Sequence, residues 1–293
     1  MVVLAIEEPE LFQHPTQARL FASVLRQLAA GPDSRVQVVY ATHSPYFIEP
    51  RFFDQLRRVT RSQGTDESVP LVTVHQASMA SVSKRLEGHR VIKALVARWH
   101  QVCLKNLAEA FFANAVVLVE GDHDKAVLDG IAARSRPFEV GGIVVAVTNG
   151  KPPMPIPHAI LTELGIPTLS IFDNDSGVAK RMRRDGKNEG DIEQAERSAK
   201  RENRELLRYY KCEEQAYPCG AVASDLVAIP DTLESELLVN WPGWTETCTA
   251  LVEDDRGAHG KNAATYALAA EECKEEPTGV LAELVRIARQ LTG

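Results

Sequence analysis

Ala115-Val116-Val117-Leu118-Val119-Glu120-Gly121-Asp122-His123-Asp124 is the stretch that decides the fold. Its apolar, β-branched start reads as a strand buried on both faces, as in a parallel sheet, and it ends abruptly in carboxylates. Thr168-Leu169-Ser170-Ile171-Phe172-Asp173-Asn174-Asp175 repeats the pattern. Open α/β sheets place their sites at the carboxyl ends of their strands, so if these two strands are neighbours, Glu120, Asp173 and Asp175 converge. Three carboxylates that close raise one another's pKa unless a cation lies among them, and a hard divalent ion such as Mg²⁺ suits oxygen donors.

Outward from this stretch, Gly121 is expected to permit a tight turn. Asp124 falls one helical turn after Glu120, where it could share the cation. Lys125, Val127, Leu128 and Ile131 continue a helix. Ile143 to Val147 reads as a second buried strand running into Thr148-Asn149-Gly150-Lys151, and the proline-rich 152–157 leads to a helix around Ile160 to Leu164. Gly165-Ile166-Pro167 introduces the next strand. Strand, helix, strand, helix, strand implies right-handed parallel crossovers and an α/β fold with a mostly parallel sheet.

Beyond Asp175 a charged, helix-favouring run from Lys180 to Lys211 reads as a helical insertion over about 178–216. Arg181, Arg183 and Arg184, then Arg201 and Arg204 with their neighbours, could grip nucleic-acid phosphates. Interleaved glutamates equally suit a solvated helix laced with i,i+4 ion pairs. Val222 to Ile229 reads as another strand with Asp225 inside it, followed by Asp231-Thr232-Leu233-Glu234, where Asp231 or Thr232 could cap a helix. Gly260-Lys261-Asn262-Ala263 opens a helix. A lysine there opposes the helix dipole, so Lys261 is either an incidental surface group or one that faces negative charge.

Upstream, Val2 to Ile6 reads as a buried strand ending in Glu7-Glu8. A helix follows with Leu20, Phe21, Val24, Leu25 and Leu28 on one face, stopped by Gly31-Pro32. A strand from Val36 to Tyr40 then leads into Thr42-His43-Ser44-Pro45. Singly, Glu7-Glu8 is also consistent with a solvated strand end and His43 with a turn residue. Asp54 to Arg61 and Leu71 to His75 suit a hairpin around a turn at Gly64 to Ser68. From Ser78 to Asn114 the pattern is helical, through Val91, Leu95, Val96, Trp99, Val102 and Leu107. Three regions are therefore expected, at 1–77, 78–114 and 115–293.

The upstream order, a strand ending in paired acids and then a strand ending in Thr-His-Ser-Pro, resembles the second half of an ABC-type ATPase. That likeness implies Walker B roles for Glu7 and Glu8 and a γ-phosphate-sensing role for His43, with aspartate more usual at the Glu7 position. Gly-x-x-x-x-Gly-Lys-[Ser/Thr], whose amides cradle phosphates, is absent from the sequence. Hence the chain is expected to be the C-terminal part of a longer protein, using ATP only together with the missing half.

Downstream, Glu120-Gly121, Gly150-Lys151 and Asp173-Asn174-Asp175 resemble a TOPRIM domain, and the order of the two domains is similar to OLD-family (overcoming lysogenization defect) nucleases. The resemblance implies a metal-dependent DNA endonuclease using two Mg²⁺ or Mn²⁺ ions. Its metal ligands would be Glu120, Asp124, Asp173, Asp175, Glu234 and, less firmly, Asp231; Lys261 would assist at the scissile phosphate. It further implies a homodimer formed through the ATPase part. Strand passage or primer synthesis, and a non-catalytic DNA-binding or assembly module, are the alternatives.

The bulk composition is compatible with this. At 44% hydrophobic and 25% charged over 293 residues, disordered and collagen-like classes are excluded. No apolar run reaches the roughly 20 residues of a membrane span, and the start lacks a secretory signature, so a cytoplasmic protein is expected. Five cysteines without a Cys-x-x-Cys pair suggest neither zinc nor a disulfide framework. A net charge of −7 disfavours a purely electrostatic DNA binder, but bound cations would meet the substrate before bare carboxylates.

Overall fold

The computed structural model describes residues 1–62, 69–87 and 107–292. It divides into two compact units, Met1–Phe53 and Asp54–Gly293. In the first, β1 (Val2–Glu7) pairs in parallel with β2 (Val36–Ala41), in a register running from Val2 opposite Val36 to Glu7 opposite Ala41. The connecting helix α1 (Pro15–Ala29) starts on a proline, whose missing N–H costs nothing at that position. It buries Ala18, Ala22 and Leu25, and Phe21, Ile6, Val38 and Tyr40 pack partly around them.

That stripe differs from the expected apolar face. Leu25 is buried, but Leu20 is 66% exposed, and Val24 and Leu28 are exposed too. The small alanines let the helix approach the ribbon closely, which leaves the bulkier residues on its flank. Strand β1 is likewise not buried, with Val2 61% exposed, because its one sheet partner among the described residues is β2.

The second unit begins with an antiparallel hairpin, β3 (Arg58–Ser62) and β4 (Leu71–His75), in which Arg58 faces His75. The first strand starts at Arg58, later than the expected Asp54, because Pro50–Gln55 forms 3-10 turns. The hairpin is tied to the rest of its own unit. Arg58 donates to the carbonyls of Gly165 (3.0 Å) and Ala113 (3.2 Å). Gly165, at φ +68°, lies so close to the His75 ring that a Cβ would sit 2.5 Å from it. These contacts put the division at Phe53/Asp54, where the sequence suggested 77. Helices α2 (Met79–Arg85) and α3 (Leu107–Ala110) come next. The expected Gly64–Ser68 turn and the helical residues Val91, Leu95, Val96, Trp99 and Val102 lie outside the described residues.

The sheet that carries the carboxylates has the order β6-β5-β7-β9-β8. Strands β5 (Ala115–Val119), β6 (Ile143–Val147), β7 (Thr168–Asp173) and β9 (Leu226–Ile229) run parallel, and β8 (Gly220–Ala223) is an antiparallel edge. The single strand expected over Val222–Ile229 is thus a hairpin. Ser224-Asp225 forms its turn, as the turn preference of aspartate favours, and the Asp225 carbonyl accepts from Ser170 N–H at 2.9 Å.

Helices α4 (Asp122–Ala133) and α5 (Pro155–Glu163) make the crossovers. Beyond β7 lie α6 (Val178–Arg184) and α7 (Glu189–Tyr209), then α8 (Leu233–Asn240), α9 (Trp244–Glu253), α10 (Ala263–Glu272) and α11 (Gly279–Gln290). Every residue of β5 is fully buried. Val117, Val119, Val145, Ile171 and Val227 share one core with Trp241, Trp244, Leu281 and Leu284. Burying this many aliphatic groups, at roughly 1.5–3 kcal/mol per side chain, fixes the strand order and with it the ends of β5, β7 and β9.

No described helix is long and apolar enough to cross a membrane. Among the described residues Cys212, Cys219, Cys248 and Cys273 are free thiols.

A carboxylate centre at the sheet edge

Because β5, β7 and β9 are parallel neighbours, the acids at their ends meet at one edge. Glu120 leaves the end of β5, and its Oε1 accepts the Asp173 N–H at 2.9 Å, which fastens the first strand's acid to the backbone of the second. Asp173 Oδ1 in turn accepts from Leu233 N–H (3.0 Å) in the first turn of α8, where the helix dipole favours an anion. Asp124 Oδ2 accepts from Gly121 N–H at 2.7 Å. Gly121 itself has φ −141°, ordinary extended backbone, so the tight turn expected there is not what this glycine provides.

These three acids are half-buried, and among the described residues none has a direct cationic partner. Burial pushes Glu120 up to about 7, with Asp124 and Asp175 adding repulsion and Lys151 opposing it. Burial likewise raises Asp124 to about 6, with Glu234 adding to the effect. Asp173 lies well above the usual carboxylate range, first through burial and then through Asp124, Glu120, Asp175 and Glu234.

The remaining acids are neutralised by the chain's own cations. Asp175, at φ +55°, accepts from Lys151 Nζ (3.0 Å) on Oδ2 and from Arg181 (3.2 Å) on Oδ1. Asp231 pairs closely with Arg181 and also accepts from Gly177 N–H (2.8 Å) and Ser235 Oγ–H (2.9 Å). Against burial, these bonds hold Asp231 below its usual range. Glu234 pairs with Lys261 Nζ at 2.7 Å, and that contact keeps it low, also against burial. Of the two candidate caps, Thr232 is the one that accepts from Ser235 N–H and opens α8.

Two kinds of residue therefore build the centre. Glu120, Asp124 and Asp173 carry excess negative charge that a hard cation would relieve, and an all-oxygen donor set of this kind fits Mg²⁺ or Mn²⁺. Among the described residues, no three acid, imidazole or thiol groups stand together at ligation distance. One oxygen each of Glu120, Asp124 and Asp173 accepts a backbone N–H, and ion pairs hold Asp175, Asp231 and Glu234.

The structure draws Arg181 into the acids, away from the surface role suggested by its cluster. Arg183 pairs with Glu189 (3.0 Å), Arg184 with Asp185 (3.2 Å) and Arg201 with Glu202 (3.8 Å); Arg204 is exposed. Three residues not among the predicted site residues also shape the centre, and of these Lys151 and Asn174 lie within the Gly150-Lys151 and Asp173-Asn174-Asp175 motifs. Lys151 and Asn203 are buried against each other, with Lys151 Nζ 2.9 Å from Asn203 Oδ1, and Lys151 also pairs with Asp175. Asn174 Oδ1 accepts from both Ser176 N–H (2.9 Å) and Asp231 N–H (2.8 Å), tying two acid loops together. Its place between Asp173 and Asp175 was the available signal.

In the first unit Glu7 ends β1, and His43 Nε2 lies 3.9 Å from Glu8 Oε1. Glu10 accepts from Thr42 Oγ1–H (2.7 Å) and His43 N–H (2.8 Å), which fixes the loop after β2.

Residues 111–175 match the family described as "Overcoming lysogenization defect protein-like, TOPRIM domain", and residues 1–48 match "AAA ATPase domain". The chain is similar to OLD-family ATPase–TOPRIM proteins. It is 29% identical over 171 residues to an OLD nuclease of Thermus scotoductus, an alignment covering 58% of this chain. It spans 30% of the length of that curated relative. The OLD-like TOPRIM match encloses Glu120, Asp124, Lys151, Asp173 and Asp175, whereas Asp231, Glu234 and Lys261 lie beyond it.

Proposed function

We propose that this chain is the TOPRIM-bearing part of a metal-dependent DNA endonuclease. The observation that carries the reading is the gathering of Glu120, Asp124 and Asp173, three half-buried carboxylates with no direct cationic partner among the described residues, at the carboxyl edge of a parallel sheet. Two Mg²⁺ or Mn²⁺ ions, when bound, would supply charge neutralisation at the phosphate and activation of the attacking water. Glu120, Asp124 and Asp173 would hold the first, and Asp175, Glu234 and Asp231 the second once their present ion pairs open. Lys261, with its side chain 64% exposed, can leave Glu234 to meet the negative charge that builds on the phosphate. Glu7, Glu8 and His43 would serve ATP only with a phosphate-binding loop supplied by the rest of a longer protein, in which the ATPase part forms the homodimer.

A non-catalytic DNA-binding module is the second reading, favoured by the ion pairs that close Asp175, Asp231 and Glu234. Plasmid nicking in Mn²⁺ separates the two. Asp173→Ala is expected to abolish it while leaving the fold intact, and undiminished nicking by that variant would defeat the endonuclease assignment.

A further inference from the structure

Lys151 is one of the largest fully buried side chains of the protein, and it is charged. Burying a lysine is costly unless it is paired and hydrogen-bonded, so its surroundings must compensate it. The loop after β6 is tied to the end of β5: Thr148 Oγ1–H donates to the carbonyls of Val119 (3.0 Å) and Gly150 (2.8 Å), and Gly150 N–H donates to Glu120 O (2.9 Å). This anchoring delivers Lys151 beneath the acids. Its ammonium donates to Asp175 Oδ2 and Asn203 Oδ1 and lies 5.5 Å from the centre of the Phe172 ring. Asn203 is fully buried on α7, and its Nδ2 donates to Asn174 O and Ala216 O, both at 2.8 Å. One ammonium thus links the end of β6, the Asp173–Asp175 loop and the long helix.

We propose that Lys151 is a positioning residue that acts as a resident cation of the carboxylate centre, fixing Asp175 and competing with divalent ions for the same acids. This rests on the reading of those acids as a divalent-ion site. Its charge also reaches Glu120, where it opposes the effect of burial. The chain therefore gives up some metal affinity to keep the acid loop in one arrangement. Arg181 holds the other oxygen of Asp175 but is more exposed than Lys151, so it is the exchangeable member of the pair.

Calorimetric titration of Mn²⁺ into the wild-type chain, Lys151→Met and Lys151→Arg tests this, with plasmid nicking measured in parallel. Removing one unit charge a few ångströms from a partly screened site is expected to tighten Mn²⁺ binding about tenfold in Lys151→Met, while nicking falls. Lys151→Arg should keep wild-type affinity. A purely structural lysine would instead lower affinity and activity together. If the Met variant does not fold, Lys151→Gln removes the charge and keeps a hydrogen-bonding group. Unchanged or weaker Mn²⁺ binding in the neutral variants, with normal binding by the wild type, would overturn this inference alone. Failure of the wild type to bind Mn²⁺ would overturn the metal reading beneath it as well.

Discussion

Replacing Glu120 by Gln makes the charge balance of the centre measurable without any substrate. The substitution keeps an oxygen that can accept the Asp173 N–H and removes only the charge. Burial raises the Glu120 carboxyl from 4.5 to about 7. At 1.36 kcal/mol per unit, the folded state pays roughly 3 kcal/mol to ionise it fully, less about 1 kcal/mol for the new amide N–H₂ left without an acceptor. Because the folded value lies above the unfolded one, the stability contributed by the protonated carboxyl is complete below pH 4.5 and is lost as the pH rises through about 7. The metal-free variant should accordingly match or fall slightly below the wild type in acid and exceed it by about 2 kcal/mol near pH 8.5, a Tm gain of roughly 4–8 °C. Adding Mn²⁺ at the higher pH should stabilise the wild type and not the variant. Thermal melts over a pH series in chelator, and then in Mn²⁺, provide the assay. A variant that is equally or less stable at every pH would refute the reasoning.

Lys261→Ala removes an ion pair whose lysine is largely exposed, so it should cost under about 1 kcal/mol in denaturant melts. It should nevertheless reduce nicking by at least about tenfold with calorimetric Mn²⁺ binding retained. Gly177→Ala places a Cβ 2.4 Å from Asp231 Oδ2, so Asp231 and the Arg181 pair must shift. A loss of about 1–3 kcal/mol in urea denaturation is expected, and a variant as stable as the wild type would count against the packing described at that loop.

The parallel sheet could be read from the chain because β5, β6 and β7 are continuous apolar runs, and that signal depends on local composition alone. The β8–β9 hairpin was hidden, since the turn at Asp225 interrupts the apolar run by only two residues. In α1 the spacing of large apolar residues pointed to Leu20, Val24 and Leu28, whereas close packing selected Ala18 and Ala22. The meeting of Glu120 with Asp173 followed from strand adjacency. The allocation of cations did not: Lys151 reaches Asp175 across 24 positions and Asn203 across 52, pairings that leave no periodic trace in the sequence. Arg181 showed the same limit, because its basic neighbours suggested a phosphate-gripping face while its rotamer turns toward Asp175 and Asp231.

Crystals of the protein soaked in Mn²⁺, with diffraction recorded at the manganese absorption edge, address the carboxylate centre most directly. An anomalous peak enclosed by Glu120, Asp124 and Asp173 is the predicted result. A fully soaked crystal with no peak there, or with manganese held only at unrelated surface acids, would contradict it.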